Sequence, residues 1–139
     1  MEDLFELADL VHAIGRHLPP PQSIRPGICT SVEMQVMRAI SNNPGSSAQL
    51  ISRAARLPSS NFARVLRNLE TKGLVRRQRD SQDRRAVNLY LTGLAEENFV
   101  SMRIAWQQAL DGIIEQPSEI DQVIRTLRRI EQALVERQK

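Results

Sequence analysis

The chain has 139 residues, of which 41% are hydrophobic and 25% are charged. This composition is apolar enough for a packed core and excludes a disordered chain, and one domain, or one with an added oligomerisation element, fits the length. The absence of an apolar run of about eighteen residues excludes a membrane span, and a single cysteine excludes an intrachain disulfide framework. The first residues, MEDLFELADL, lack the basic-then-apolar order of a secretory signal, so we expect a cytoplasmic protein.

The formal net charge of +3 hides a strong segregation of charge along the sequence. Residues 46–92 contain ten Lys and Arg against three Asp and Glu, a balance of +7. The rest of the chain has nine basic residues against thirteen acidic ones, a balance of −4. A basic segment on an acidic frame is the electrostatic pattern of a nucleic-acid-binding protein.

Two predicted helices flank a proline-rich connector. Residues 3–18 carry an apolar stripe at helical spacing, formed by Leu4, Leu7, Leu10, Val11, Ile14 and Leu18. Pro19-Pro20-Pro21 ends this helix and opens a stiff connector that runs through Gly27. Thr30, with Glu33 three residues later, predicts a capped start of the second helix, whose expected buried face is Val32, Val36, Met37 and Ile40.

Two short helical patterns joined by a tight turn come next. The first opens at Ser46 with Gln49 as a capping box and ends at Leu57-Pro58. Ser59 or Ser60 is predicted to cap the second, and Gly73 ends it. Its buried face is predicted as Phe62, Val65, Leu66 and Leu69, and its polar face as Asn61, Arg64, Arg67 and Asn68. Taken alone, the pair fits either a helix-turn-helix or two surface helices with a solvated charged face.

A basic hairpin favours the first of these interpretations. Residues 74–79 and 86–91 alternate in polarity and predict two antiparallel strands, with the charged turn Asp80–Arg85 between them. A basic hairpin after a helix-turn-helix is a wing, suited to phosphates and to the negative potential of a narrow minor groove. An adjacent Asp is expected to hold a wing Arg extended.

Two long helices complete the chain. Thr92 is predicted to cap the first, whose stripe is Phe99, Met102, Trp106, Ala109, Leu110 and Ile113. Gln116-Pro117-Ser118 ends it, and the last helix starts at about Ser118 with the stripe Ile120, Val123, Ile124, Leu127, Ile130 and Leu134. A single winged module cannot cover the stripes of three terminal helices, so a two-fold homodimer is expected.

Residues 66–92, LRNLETKGLVRRQRDSQDRRAVNLYLT, resemble the MarR (multiple antibiotic resistance regulator) family. The family pattern is matched by Leu69–Val75, by Asp80–Arg85 and by Leu91-Thr92. The resemblance implies a mainly α fold with a small β-hairpin wing: a winged helix-turn-helix with N- and C-terminal dimerisation helices. It divides the chain into an N-terminal dimerisation helix and linker (1–29), the DNA-binding module (30–92), and a long helix with a C-terminal dimerisation helix (93–139).

The resemblance further implies a sequence-specific homodimeric repressor that binds a pseudopalindromic double-stranded DNA operator. A small anionic or lipophilic aromatic effector is expected to release it. Ser59, Ser60, Asn61, Ala63 and Arg64 would enter the major groove, Arg67 and Lys72 would lie nearer the backbone, and Asp83, Arg84 and Arg85 would form the wing tip; Ser46, Ser47 and Arg79 complete the predicted interface. Pro58, where the family has a polar cap, and Ala95, where it often has glycine, depart from the pattern.

Several further sites have competing interpretations. His12, Arg16 and Trp106 are candidates to line an effector pocket, although each also suits a packing or surface role. Cys29 precedes a helix N-terminus, which favours a thiolate, so it is either an oxidant sensor or a passive thiol. His12 and His17 are five residues apart, off a shared helix face, so no metal site is expected.

No enzyme or cofactor signature occurs in the sequence, since it has no Gly-rich phosphate loop, no nucleophile elbow and no clustered metal ligands. A non-enzymatic protein without a cofactor is therefore expected. The alternative to DNA binding is a winged helix that binds a protein partner, which would usually present aromatic anchors on its recognition face.

Overall fold

The computed structural model describes residues 2–25 and 29–137, so Gly27 and its neighbours in the predicted connector lie outside the described residues. The chain is mainly helical with one antiparallel hairpin, which confirms the predicted fold class. The elements in order are α1 (Glu2–His17), a 3₁₀ turn (Pro21–Ser23), α2 (Ser31–Asn42), α3 (Ala48–Ala55), α4 (Ser59–Thr71), β1 (Val75–Arg79), β2 (Val87–Leu91), α5 (Gly93–Leu110) and α6 (Pro117–Arg137). Two compact units result, Met1–Trp106 and Gln107–Lys139.

The core of the first unit lies under α2, α3, α4 and the hairpin. The predicted buried face of α4 is confirmed, and that of α2 is confirmed apart from Val32, which is exposed. Side chains from every one of these elements are fully buried: Val36, Met37, Ile40, Ile51, Leu69, Leu74 and Leu89. Helical periodicity therefore predicts this core well, because each element is covered within the unit.

The helix starts are set by caps, and two of the predicted caps are wrong by one or two residues. Thr30 Oγ1 accepts the N–H of Glu33, as predicted, but Ser47 rather than Ser46 caps α3 by accepting the N–H of Leu50. The N-cap position of α4 is Pro58, which offers no side-chain oxygen. Proline's fixed φ already suits a helix entry, so Ser59 and Ser60 lie inside the first turn instead of capping it.

The hairpin has a regular antiparallel register, from Val75 opposite Leu91 to Arg79 opposite Val87. The turn between α2 and α3 adds a short third segment to this sheet. The Gly45 N–H donates to the Leu89 carbonyl, the Leu89 N–H donates to Ser46, and Ser47 pairs with Asn88. This pairing uses the backbone of Ser46, which explains why the capping role falls to the next serine.

Thr92 joins the base of the hairpin to the start of α5. Its N–H donates to the Leu74 carbonyl at 3.1 Å, and its hydroxyl donates to the Gly73 carbonyl. The same hydroxyl accepts the Ala95 N–H, so the predicted cap of the long helix is confirmed. Ala95 is fully buried there, and α5 starts regularly without a glycine at that position.

The long helices differ from the core in burial. No residue of α1 or α6 is buried, although both keep the predicted apolar stripe. Leu4 on α1 is 61% exposed and Leu127 on α6 is 41% exposed. The last helix starts at Pro117, one residue earlier than predicted, and Ile113 lies beyond the end of α5. Within the described residues, no helix has the combined length and hydropathy of a membrane span.

Candidate nucleic-acid interface

The exposed face of α4 carries the residues predicted to enter a DNA major groove. Ser59, Ser60, Asn61 and Arg64 are exposed at the start of the helix, Arg67 lies one turn further, and Ala63 is half-buried between them. The opposite face of the same helix is the buried one, from Phe62 to Leu69. A 3.6-residue period thus holds one face in the core and leaves a short polar face with two arginines free for recognition.

The arginines of this surface have no intramolecular ion partner. Among residues 2–25 and 29–137, carboxylates pair with Lys72 and Arg77, and with neither Arg64 nor Arg67. The guanidinium groups of Arg79, Arg84 and Arg85 on the hairpin are likewise exposed and unpaired. These five arginines, here called the unpaired arginines, keep their charge available for an external anion.

Lys72 is engaged inside the module. Its ammonium lies 2.9 and 2.8 Å from the two carboxylate oxygens of Glu33, which is 4% exposed. A buried carboxylate needs a cation, because burying an unpaired charge is costly. The Lys72 side chain therefore ties the end of α4 to α2, and its expected backbone contact with DNA stays a prediction.

The tip of the hairpin is shaped by two aspartates. The Asp80 carboxylate accepts the Gln82 N–H at 2.9 Å, and the Asp83 carboxylate accepts the Arg85 N–H at 3.0 Å. These backbone hydrogen bonds, that from Gln82 first, lower the pKa of Asp80 below its usual value. The expected Asp–Arg charge pair is not formed among the described wing residues, because the carboxylates fix the backbone of the turn instead.

The strands of the hairpin carry two arginines that brace the wing. Arg77 Nε lies 2.6 Å from Glu70 Oε1, which links β1 to α4, and the Arg76 guanidinium stacks 4.4 Å from the ring centre of Tyr90. The sequence counted Arg76 and Arg77 in the basic segment without separating them from the wing tip. Their partners are seven and fourteen residues away, so only the fold distinguishes them.

Ser46 and Ser47 have local structural roles. The Ser46 carbonyl accepts from Leu89, and the Ser47 hydroxyl caps α3; both residues are half-buried. A contact between either serine and DNA stays a prediction.

A cleft of about 350 Å³ between α3 and α4 was not predicted from the sequence. It is lined by Ala48, Gln49, Ser52, Arg53, Ser59 and Phe62. The available signal was the polar side of α3: Gln49, Ser52 and Arg53 fall at helical spacing away from the buried Ile51.

The candidate effector residues do not converge. Trp106 Nε1–H donates to the Pro19 carbonyl at 2.9 Å, and the ring lines a second cleft of about 350 Å³. This cleft, here called the α2–α5 cleft, is lined by Arg38, Ser41, Glu96, Phe99, Met102, Arg103 and Trp106. His12 and Arg16 are exposed on α1 and are not part of that lining.

Cys29 is fully buried, and burial, followed by the nearby Glu33 carboxylate, raises the pKa of its thiol. A sensing thiol needs exposure and a lowered pKa. The geometry therefore contradicts the expectation of a favoured thiolate and supports the passive interpretation. No cluster of metal-ligating side chains occurs within the part of the chain that the structure describes.

Comparisons with known proteins agree with this architecture. Residues 30–86 match the model of the MarR family. The transcriptional regulator HosA of Escherichia coli O127:H6 is 35% identical over 68 residues, or 49% of this chain and 50% of that protein, so the match spans about half the length of the curated relatives.

Solved structures show the same fold. A MarR-like transcriptional regulator from Thermotoga maritima has a TM-score of 0.65 at 23% identity, covering 96% of this chain and 94% of that one. The crystal structure of MarR has a TM-score of 0.60 at 22% identity, covering 78% and 80%. BpsR of Bordetella bronchiseptica, whose DNA binding is regulated by 6-hydroxynicotinic acid, has a TM-score of 0.58 at 22% identity, covering 94% and 97%. On the motif, the fold and these matches together, the chain belongs to the MarR family.

Proposed function

We propose that this protein is a sequence-specific DNA-binding transcriptional regulator that acts as a homodimeric repressor on a pseudopalindromic operator. The observation that carries the proposal is the set of five unpaired arginines, Arg64, Arg67, Arg79, Arg84 and Arg85, on the exposed face of α4 and on the wing. Cations without an internal partner gain most from polyanionic DNA, because each phosphate contact releases a condensed counterion.

The two parts of this surface have different tasks in the proposal. The start of α4 reads base edges in the major groove, where Asn61 and Arg64 offer the bidentate chemistry that distinguishes adenine and guanine. The wing arginines Arg84 and Arg85 lie along the backbone and the minor groove, where a narrow groove concentrates negative potential. Arg76 and Arg77 hold the wing at its angle through Tyr90 and Glu70.

The homodimer is supported by the apolar stripes of α1 and α6. Their Leu, Ile and Val side chains are exposed in the single chain, and a second copy offers the same stripes in return. A two-fold pair carries two α4 helices, which matches two half-sites about one DNA turn apart, roughly 34–36 Å.

A protein-binding winged helix is the competing function. Such a surface would present aromatic anchors, but the aromatic residue of α4, Phe62, is only 5% exposed. The polar, arginine-bearing face therefore favours DNA.

An effector that releases the DNA is a further part of the proposal, and the α2–α5 cleft is its best candidate site. Arg38 and Arg103 suit an anionic group, and Phe99 and Trp106 suit an aromatic ring. Raised thermal stability with an aromatic carboxylate, lost in Arg103→Ala and kept in Arg16→Ala, supports this site. Equal shifts in both variants contradict it.

Fluorescence anisotropy with labelled duplexes tests the DNA-binding function directly. We expect the protein to bind its own upstream DNA in preference to a scrambled duplex. About six to ten phosphate contacts would weaken affinity by roughly 10³–10⁵ between 50 and 200 mM salt. Equal, salt-insensitive affinity for all duplexes contradicts the proposal.

A further inference from the structure

The cleft between α3 and α4 has two chemically distinct parts. Its floor is apolar, formed by the half-buried Ala48 and by the exposed edge of Phe62. Its rim is polar, formed by Gln49, Ser52, Arg53 and Ser59. The volume of about 350 Å³ exceeds what a single phosphate group needs and is sufficient for a sugar with its phosphate.

The rim is suited to an anion. Arg53 is exposed, and no carboxylate in the described part of the chain forms an ion pair with it. Gln49, Ser52 and Ser59 add neutral hydrogen-bond donors, and no acidic side chain lines the cleft. A guanidinium group with neutral donors around it is the usual protein partner of a phosphate.

The position of the cleft identifies which anion it meets. Ser59 belongs both to its rim and to the first turn of α4. If α4 reads base edges, as proposed above, the cleft lies beside the strand whose bases it reads. An apolar floor next to a phosphate-binding rim then suits the deoxyribose that precedes or follows that phosphate.

We propose that this cleft binds one sugar–phosphate unit of the DNA backbone, with Arg53 on the phosphate and the deoxyribose over Ala48 and Phe62. The inference rests on the proposed DNA-binding function and adds α3 to an interface that otherwise consists of α4 and the wing. A contact of this kind carries no sequence information itself. Instead it fixes the register of α4 in the groove, so that Asn61 and Arg64 meet the correct bases.

The test compares Arg53→Gln with wild type and with Arg129→Gln, which removes the same charge from the exposed surface of α6. Affinity is measured by anisotropy against salt, on the operator and on a scrambled duplex. We expect Arg53→Gln to weaken binding to both duplexes by a similar factor. The salt slope of a dimer should fall by about two, one phosphate per protomer, while Arg129→Gln matches wild type.

Ethylation interference on the operator gives a second readout that a general charge effect does not reproduce. In wild type, ethylating the phosphate that Arg53 contacts should block binding, and in Arg53→Gln that one position should lose its effect. Arg53→Lys, which keeps the charge without the fork of donors, should show intermediate affinity and restore the interference.

Three results overturn the inference. An unchanged salt slope and interference pattern in Arg53→Gln would remove the contact, while intact wild-type binding leaves the proposed function standing. A loss confined to the operator would mean that Arg53 reads a base and not a phosphate. Wild-type protein that binds no duplex at all would overturn both the cleft assignment and the proposed function.

Discussion

The winged module and the two terminal helices solve the same packing problem in different ways. In the module, residues 30–92, the apolar faces of α2 and α4 are buried against one another and the hairpin. Helices α1 and α6 have equally regular stripes and bury no residue. The comparison teaches that helical periodicity predicts a face that needs covering, whereas the source of the cover is a separate question.

The size of the exposed stripes makes their cover energetically important. Fully burying a Val, Leu or Ile side chain is worth roughly 1.5–3 kcal/mol. The α6 stripe alone exposes Ile120, Val123, Ile124, Leu127 and Leu134. Even partial burial of such a set contributes several kcal/mol, on the scale of the whole stability of a small domain. A second copy of the chain is the cover that we propose.

A charge placed in the α6 stripe should have the largest effect on the molecule. We expect Leu127→Arg to dissociate the dimer, because it puts a charge where an apolar side chain packs against the partner. Losing the second half-site contact should weaken operator binding on the order of 100-fold or more. Analytical ultracentrifugation and anisotropy measure the two effects.

Gln122→Arg is the matched control, since it adds the same charge on the opposite face of α6. It should leave both the sedimentation and the operator affinity unchanged. A dimeric Leu127→Arg protein would show that α6 is not the interface and would remove this side of the comparison.

Loss of a wing arginine should have the next largest effect. Arg85→Ala removes an unpaired guanidinium from the wing tip and should cost roughly 1–3 kcal/mol of operator binding. Arg129→Ala, on the exposed surface of α6, should change operator affinity little. Equal losses in the two variants, measured by anisotropy at one salt concentration, would contradict the placement of the wing on DNA.

The ion pair between Lys72 and Glu33 should matter for folding. Lys72→Met leaves the buried Glu33 carboxylate without its cation and should lower the free energy of unfolding by roughly 1–2 kcal/mol. We expect less than the 3–5 kcal/mol of a fully buried pair, because the Lys72 side chain is 37% exposed. Urea denaturation measures the change.

Arg67→Met serves as the control, because Arg67 is exposed and has no ion partner in the described chain. It should leave stability unchanged and weaken DNA binding instead. Adding Glu33→Gln to Lys72→Met should recover part of the lost stability. The opposite ranking of the two single variants would reverse the division into engaged and unpaired cations.

Two glycines with the same backbone conformation test the packing of the module. Gly45 and Gly73 have φ of +74° and +75°, but an added Cβ at Gly45 would lie 2.9 Å from Tyr90 Oη, whereas at Gly73 it meets nothing within 4 Å. Gly73→Ala should cost about 1 kcal/mol of stability, from the left-handed conformation alone. Gly45→Ala should cost about 1 kcal/mol more by urea denaturation, and equal costs would mean that Tyr90 moves aside freely.

The buried thiol should produce the smallest functional effect. Peroxide should leave operator affinity unchanged, and Cys29→Ser should behave like wild type, because Cys29 is buried and its thiol pKa is raised. The raised pKa stabilises the fold below the ordinary thiol pKa, and this contribution is lost as pH rises through the native value. A peroxide response that disappears in Cys29→Ser would restore the oxidant-sensing interpretation.

The sequence predicted the fold well because the fold's signals are local. Periodicity identified α2, α4 and both strands, and Thr30 and Thr92 were correctly identified as caps. The Ser46 cap failed because a backbone pairing with Leu89, forty-three positions along the chain, has no local signature. Pro58 supplied the entry to α4 that the sequence assigned to a serine.

The candidate interface was predictable only as a set of charges. Composition identified the basic segment 46–92, but the sorting of its cations depends on distant partners. Glu33 lies 39 residues from Lys72, and Tyr90 lies 14 residues from Arg76. The cleft around Arg53 depends on how α3 meets α4, which neither helical pattern contains.

Selection of bound duplexes from a random DNA pool tests the central claim most directly, because it examines recognition and two-fold pairing together. We predict enrichment of an inverted repeat whose half-sites are centred about one helical turn apart, roughly 34–36 Å. A pool without any enriched sequence, or one enriched only in a single unrepeated site, would contradict the proposal that two copies present their arginines as a symmetric pair.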